Sequence, residues 1–511
     1  MAETPDVVET VKQGYAFEGP AIELGALLVD GTPNPAAAVR IPLSMVNRHG
    51  LVAGATGTGK TKTLQLMAEQ LSAAGVAVFA ADIKGDLSGI SQPGEESEKL
   101  LARTKAIGQE WTATGFPTEF YALGGQGSGI PIRATITSFG PMLLSKVLGL
   151  NDVQESSLGL IFHYADKQGL TLLDLKDLRA VITHLTSDEG KGDLKELGGL
   201  SAATAGVILR SLIGFADQGA EAFFGEPEFD TADLMQERDG KGVVSLLELP
   251  NLQDRPALFS TFLMWLLADL FHDLPEVGDV DKPKLVFFFD EAHLLFNDAS
   301  KAFLDSIAQT VRLIRSKGVG VFFVTQTPKD VPDDVLAQLG SRVQHQLRAH
   351  TPNDAKALKA TVSTFPNSSY DLAEVLTQLG IGEAIVTVMN EKGAPTPVAW
   401  TRLRAPQSLM APASAEQLTA TVQASPGYAK YTEVIDRESA YEKLAAKVQA
   451  GAAQAEAEAK SEPQPKSAPR SQKQEKSMVE QVVGSSAFKQ FARSAGREII
   501  RGLFGSARRK R

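Results

Sequence analysis

Gly54-Ala-Thr-Gly-Thr-Gly59-Lys60-Thr61 decides how this chain is read. It follows the apolar run Gly50-Leu-Val-Ala53 and precedes Thr63-Leu-Gln-Leu-Met-Ala-Glu-Gln-Leu71, whose apolar residues recur at helical spacing. Strand, glycine-rich loop and helix in that order make an anion cradle. Glycines let consecutive backbone amides turn inward around a phosphate, and the loop feeds the positive end of a helix. Lys60 is expected to reach the β- and γ-phosphates, and the Thr61 hydroxyl to hold Mg2+. The expected nucleotide contacts are Gly54, Ala55, Thr56, Gly57, Thr58, Gly59, Lys60, Thr61 and Thr63.

A second stretch completes the site. Leu285-Val-Phe-Phe-Phe289 reads as a buried strand that delivers Asp290 to the metal side and Glu291 to the attacking water. ATP and Mg2+ are the implied cofactors, and an acid directly after the metal-side carboxylate favours hydrolysis over holding a nucleotide. The next apolar run, Val319 to Thr325, ends in Gln326, a neutral polar residue expected beside the acidic strand as a sensor of the γ-phosphate. Arg312, Arg315, Arg342 and Arg348 lie near predicted element ends, and an arginine finger is commonly supplied by a neighbouring subunit. Arg342 is the first choice, with Arg315 next. Asp82-Ile-Lys-Gly85-Asp86 follows another strand, where a carboxylate can approach the nucleotide side. The seven histidines show no metal-ligand spacing.

Composition sets bounds. The 511 residues, 43% hydrophobic and 22% charged, are those of an ordinary globular protein with a sizeable core. With no cysteine, disulfides and thiolate metal sites are excluded. The strongest apolar run, Leu258 to Phe271, is short for a bilayer span and carries Asp269, so it reads as a buried helix. The N-terminus lacks signal-peptide order, and a cytoplasmic location is expected. The net charge of −10 argues against coating nucleic acid through bulk positive charge. From Lys489 to Arg511, however, eight basic residues stand against one acid, so this tail carries +7 and the remainder −17.

The pattern along the chain implies an α/β fold: alternating strand and helix signals, hence a mainly parallel sheet with helices on both faces. Residues 1–49 read as a short β-rich lead-in and 50–140 as the first part of a nucleotide-binding core. A helical insertion at 141–235 separates it from the second part, 236–404. Residues 405–480 read as a helical to disordered, low-complexity linker, and 481–511 as a basic amphipathic tail.

Asp290-Glu-Ala-His293 spells a word shared with a large helicase superfamily, but the Ser-Ala-Thr element and the arginine-rich second-core motif of those enzymes are missing. The chain instead resembles the HerA and FtsK clan of ring-forming ATPases, most closely the bacterial HerA-helicase-like proteins of the DUF853 group. The residues that carry this are Gly54 to Thr61, Asp82 to Asp86, Phe289 to His293, Arg315-Ser-Lys-Gly-Val-Gly320, Val324-Thr-Gln-Thr-Pro328 and Thr351-Pro-Asn-Asp354. The resemblance implies a RecA-like P-loop core, a hexameric ring with ATP at subunit boundaries, and pumping of double-stranded DNA through the pore. Lys60, Thr61, Asp290, Glu291 and Gln326 match family positions directly, and Arg342 an arginine-finger position. The chain departs from HerA proteins in having only a short segment where they carry a sizeable β-barrel.

Two readings remain open. One is a DNA translocase or helicase-like motor; the other is an ATPase acting on a protein or membrane partner, with the basic tail as a peripheral anchor. Expected partners are further copies of the chain, double-stranded DNA, and a nuclease or other protein.

Overall fold

The computed structural model describes residues 6–195, 198–249, 256–296 and 301–461. The expected low-complexity tail beyond residue 461, with its basic segment 481–511, lies outside the described residues. The chain divides into a compact unit, Met1–Val448, and a second unit, Gln449–Arg511.

In the first unit the strands are β1 (Ala21–Val29), β2 (Thr32–Pro42), β3 (Gly50–Ala53), β4 (Ala77–Asp82), β5 (Thr118–Leu123), β6 (Ile130–Ile132), β7 (Glu237–Arg238), β8 (Lys241–Gly242), β9 (Val244–Glu248), β10 (Leu285–Phe289), β11 (Val319–Thr325), β12 (Ser341–Gln344), β13 (Glu383–Thr387) and β14 (Ala399–Leu403). Twelve of them form one sheet in the order β2-β1-β14-β13-β12-β3-β11-β10-β4-β9-β5-β6, while β7 and β8 form a separate hairpin. From β12 to β6 every neighbour pairs in parallel. These strands read as near-continuous apolar runs because both faces are covered. Phe287, Phe288 and Phe289 on β10, and every apolar residue of β11, are buried.

The other end of the sheet is antiparallel, which simple strand-helix alternation does not foretell. The cause is local. Asp30 and Gly31, both at positive φ, make a two-residue turn that returns β1 directly into β2. The residues expected as a lead-in thus form the edge of the central sheet. Strand β1 lies so close to β14 that a Cβ on Gly25 would stand 2.1 Å from the Arg402 carbonyl oxygen.

Between β6 and β7 the described residues form four α-helices: Ile136–Val147, kinked at Gly140 before Pro141, then Asp152–Lys167, Leu175–Thr186 and Ala202–Asp217. Asn151 and Asp174 start the second and third of these with capping boxes. The apolar run around Leu258 is the helix Pro256–Asp273, and Asp269 accepts a hydrogen bond from Thr231 Oγ1 at 2.8 Å. No described helix is long and apolar enough to cross a membrane.

Residues after Arg404, where the composition suggests a linker, also pack onto the core. Gln65 Nε2, on the helix Lys60–Ala73, donates to Ser408 Oγ at 2.6 Å and to Leu409 O at 2.9 Å. One turn on, the buried Glu69 accepts from the amides of Gln407 at 2.8 Å and Ser408 at 2.9 Å, and from Ser408 Oγ. This strap crosses the helix that begins at the phosphate loop.

Candidate nucleotide site

Strand β11 separates the strand that ends in the glycine-rich loop from the strand that ends in the acids, and its last two carbonyls hold both. Thr325 O accepts from Gly54 N at 3.2 Å, and Val324 O accepts from Ala292 N at 2.9 Å. On the other flank, Ala55 N donates to Gln346 O at 2.8 Å and Gly382 N donates to Thr58 O at 3.1 Å. Gly57 and Gly59 take the positive φ values, 83° and 110°, that the reversal demands. The helix Lys60–Ala73 starts at Gly59, so its free amides face the concavity.

Lys60 is 9% exposed, and its Nζ bonds back to Ala55 O at 3.1 Å, spanning the mouth of the loop. Burial lowers its pKa, while Glu291 and Asp290 oppose that shift and mark the acids as near neighbours. Thr63 is buried, with Oγ1 engaged by Gly59 O at 3.3 Å and His345 Nε2 at 2.9 Å. That hydroxyl braces the loop from behind instead of facing a nucleotide. Sequence reasoning gave His345 no part; it is fully buried, and burial, with help from Lys60, holds its pKa down at about 4, so it is neutral.

Asp290 is 3% exposed, and burial first, then the charge of Glu291, pushes its carboxyl up to about 6. Its Oδ1 accepts from Glu291 N at 2.9 Å, which fixes its orientation. Glu291 sits at φ 48°, a left-handed conformation uncommon for a residue with a side chain. Such strain persists where the surroundings enforce it, typically at functional sites. Its Oε1 accepts from Lys84 Nζ and its Oε2 lies 3.3 Å from His293 Nδ1. Burial alone would raise the Glu291 carboxyl, but the Lys84 bond and charge outweigh it and hold the group below its ordinary value.

Within Asp82 to Asp86, the residue that reaches the site is the lysine. The Asp82 carboxylate is spent on the turn, accepting from Gly85 N at 2.8 Å and Leu87 N at 3.0 Å. That turn presents Lys84 to Glu291. Gln326 is exposed immediately past the end of β11. Arg342 lies midway along β12, opposite Leu51, and donates to Thr364 O at 3.0 Å. Arg348, beyond the end of β12, donates to Thr56 O at the loop tip at 3.3 Å, a direct bond to the loop within its own chain. Arg315 precedes β11, and so lies at the opposite end of the sheet from the loop.

The donor set suits a hard cation. Thr61 and Asp290 offer oxygen only, and no group of three or more His, Cys, Asp or Glu that could hold a metal exists among the described residues. Mg2+ is usually bound through one or two carboxylates plus substrate phosphates, not by an all-protein cage.

The family described as helicase HerA-like C-terminal matches residues 28–511. The chain belongs to this HerA-like family. It is a HerA/FtsK-type P-loop ATPase with a RecA-like core. It is similar to the DNA double-strand break repair helicase HerA of Saccharolobus solfataricus, 23% identical over 389 residues, covering 74% of this chain and 68% of that protein. The HerA of Sulfurisphaera tokodaii is also 23% identical, over 353 residues that cover 68% of this chain and 64% of that protein. The chain thus spans about two thirds of these curated relatives. Among solved structures, the bacterial conjugative coupling protein TrwB in its unbound form superposes with a TM-score of 0.50 at 16% identity, covering 80% of this chain and 94% of that one. TrwB with a non-hydrolysable ATP analogue gives the same TM-score and identity, covering 78% and 93%.

Proposed function

We propose that this HerA-like ATPase is a cytoplasmic, ring-forming motor that translocates double-stranded DNA, with ATP held at subunit boundaries of a hexamer. The observation that carries the motor chemistry is the pairing of loop and acids on successive carbonyls of β11. The DNA substrate is supported by the HerA relatives, which are named as DNA repair helicases.

In this reading the loop amides from Gly54 to Thr61 and Lys60 Nζ bind the phosphates, with Lys60 exchanging the Ala55 carbonyl for a phosphate oxygen. Thr61 and Asp290 would hold Mg2+, which when bound neutralises charge on the β- and γ-oxygens. Glu291 orients the attacking water and accepts its proton, and Gln326 senses the γ-phosphate. Arg342 acts as the finger toward a neighbouring subunit, giving up its bond to Thr364.

The decisive experiment is ATP turnover with and without double-stranded DNA at low salt, where phosphate attraction is strongest. Stimulation supports the motor reading. Turnover indifferent to DNA of any sequence sinks it and favours the protein or membrane partner, a reading to which the −17 charge outside the tail lends weight. Mixing Lys60→Ala with Arg342→Ala subunits tests the finger, because a trans-acting arginine restores activity to mixed rings.

A further inference from the structure

Three cations around the loop are bonded to oxygens of the chain. Lys60 Nζ bonds to Ala55 O at 3.1 Å, Arg348 to Thr56 O at 3.3 Å, and Lys84 Nζ to Glu291 Oε1. Lys84 is the odd one. Lys60 and Arg348 rest on neutral carbonyls, whereas Lys84 neutralises the carboxylate assigned to activate water. That carboxylate is 8% exposed in its side chain, but the Lys84 side chain is 41% exposed, so the lysine can move while the acid stays. The electrostatic couplings of Lys84 run to Glu291, Asp290 and Asp86, and Lys60 in turn feels Lys84 as a repelling charge. Lys84 therefore belongs to the cluster in which a terminal phosphate would sit.

We propose that Lys84 is a second phosphate-binding lysine, paired with Glu291 and drawn from it onto the γ-phosphate of a bound triphosphate, which frees Glu291 to receive the proton of water. The inference rests on the reading of Glu291 given above. Its physical basis is competition for one ammonium group. A terminal phosphate carries more negative charge than a carboxylate and offers three acceptor oxygens, so the ammonium gains by the exchange. A diphosphate ends before the position the lysine would serve and leaves the pair intact. The exchange needs only side-chain rotation: Asp82 holds the turn through Gly85 N and Leu87 N, and the partly exposed lysine carries its ammonium on a flexible four-carbon stem. The device gives the site an off state without nucleotide or with ADP, and an on state that only a triphosphate can set.

The test is a double-mutant cycle read by binding, using the full chain with Mg2+ and either imido-ATP or ADP. Lys84→Ala is expected to weaken imido-ATP binding about 10-fold to 100-fold, the range of a hydrogen bond between charged groups, and to leave ADP binding unchanged. Lys84→Arg should restore most of the loss. Glu291→Gln removes the competitor, so it should tighten imido-ATP binding several-fold in the presence of Lys84 and by clearly less in the Lys84→Ala background, where only relief of carboxylate–phosphate repulsion is left. Equal changes for both nucleotides, or a Glu291→Gln effect as large without Lys84 as with it, overturn the proposal. If Lys84→Ala loses both nucleotides together with its folded melting transition, Lys84→Met, which keeps the aliphatic stem, replaces it in the same cycle. Should Glu291 not be the group that activates water, Glu291→Gln would leave hydrolysis intact while the binding cycle still reports on Lys84, so the two failures are separable.

Discussion

Thr63 Oγ1 and His345 Nε2 lie 2.9 Å apart, joining the first turn of the phosphate-loop helix to the chain just past β12. Both residues are buried, so neither can exchange the other for water. Thr63→Val is expected to cost about 1–3 kcal/mol, the penalty for stranding a buried polar partner. Denaturant unfolding should show the loss, and nucleotide affinity should fall with it because the loop loses its brace. An unchanged midpoint would mean that the bond contributes nothing.

Gly54 admits no side chain. A Cβ there would stand 2.4 Å from His345 Cβ. Gly54→Ala should therefore displace the loop, costing roughly 1–3 kcal/mol as overpacking does, and weaken ATP binding more than it weakens the fold. Titration with a fluorescent nucleotide, beside a thermal melt, separates the two effects.

The strap over the phosphate-loop helix depends on Glu69. Glu69→Ala leaves the amides of Gln407 and Ser408 and the Ser408 hydroxyl without their acceptor, at an expected cost of about 3 kcal/mol. Hydrogen exchange should show the Gln407 and Ser408 amides losing protection while those of β10 and β11 keep theirs. Uniform protection would mean the strap is held by its other contacts alone.

His49 supplies a pH dependence. It is buried, accepts from Val321 N at 3.0 Å through Nδ1, and burial holds its pKa down at about 4. Below an unfolded value near 6.5 the unfolded chain binds a proton that the folded chain refuses. Its contribution is therefore present above about pH 6.5 and is lost as pH falls toward 4. Asp82 and Asp290, both raised to about 6 by burial, act with the opposite sign over nearly the same interval. The difference between wild type and His49→Asn isolates the histidine: wild type should lose about 2 kcal/mol more than the variant between pH 7 and 4.5. Parallel pH profiles would contradict this.

The sheet's centre was legible because its strands carry unmistakable chemistry. Leu285–Phe289 and Val319–Thr325 appear with the bounds that their apolar runs suggest, since strands covered on both faces leave no polar interruption. The loop was legible because few residue orders allow inward-turned amides. The antiparallel edge was not, for β1 and β2 have ordinary sheet patterns that do not say which neighbour they meet. Lys84 was passed over for a related reason. Its partner Glu291 is 207 positions away, and a pairing between distant side chains leaves no periodic trace. The strap after Arg404 was hidden by composition: Ser, Gln and Ala look like linker, yet here Glu69 and Gln65 hold backbone amides and carbonyls that would otherwise face water.

Because Thr325 and Val324 are consecutive and their carbonyls face opposite neighbours, cradle and acids flank the end of one strand, β11, with β3 and β10 about 10 Å apart across it. Both jaws are bolted to one rail. A shift of β11 along its own axis would carry both together. The turn bearing Lys84 and the helices between β6 and β9 are joined to that rail by longer stretches of chain.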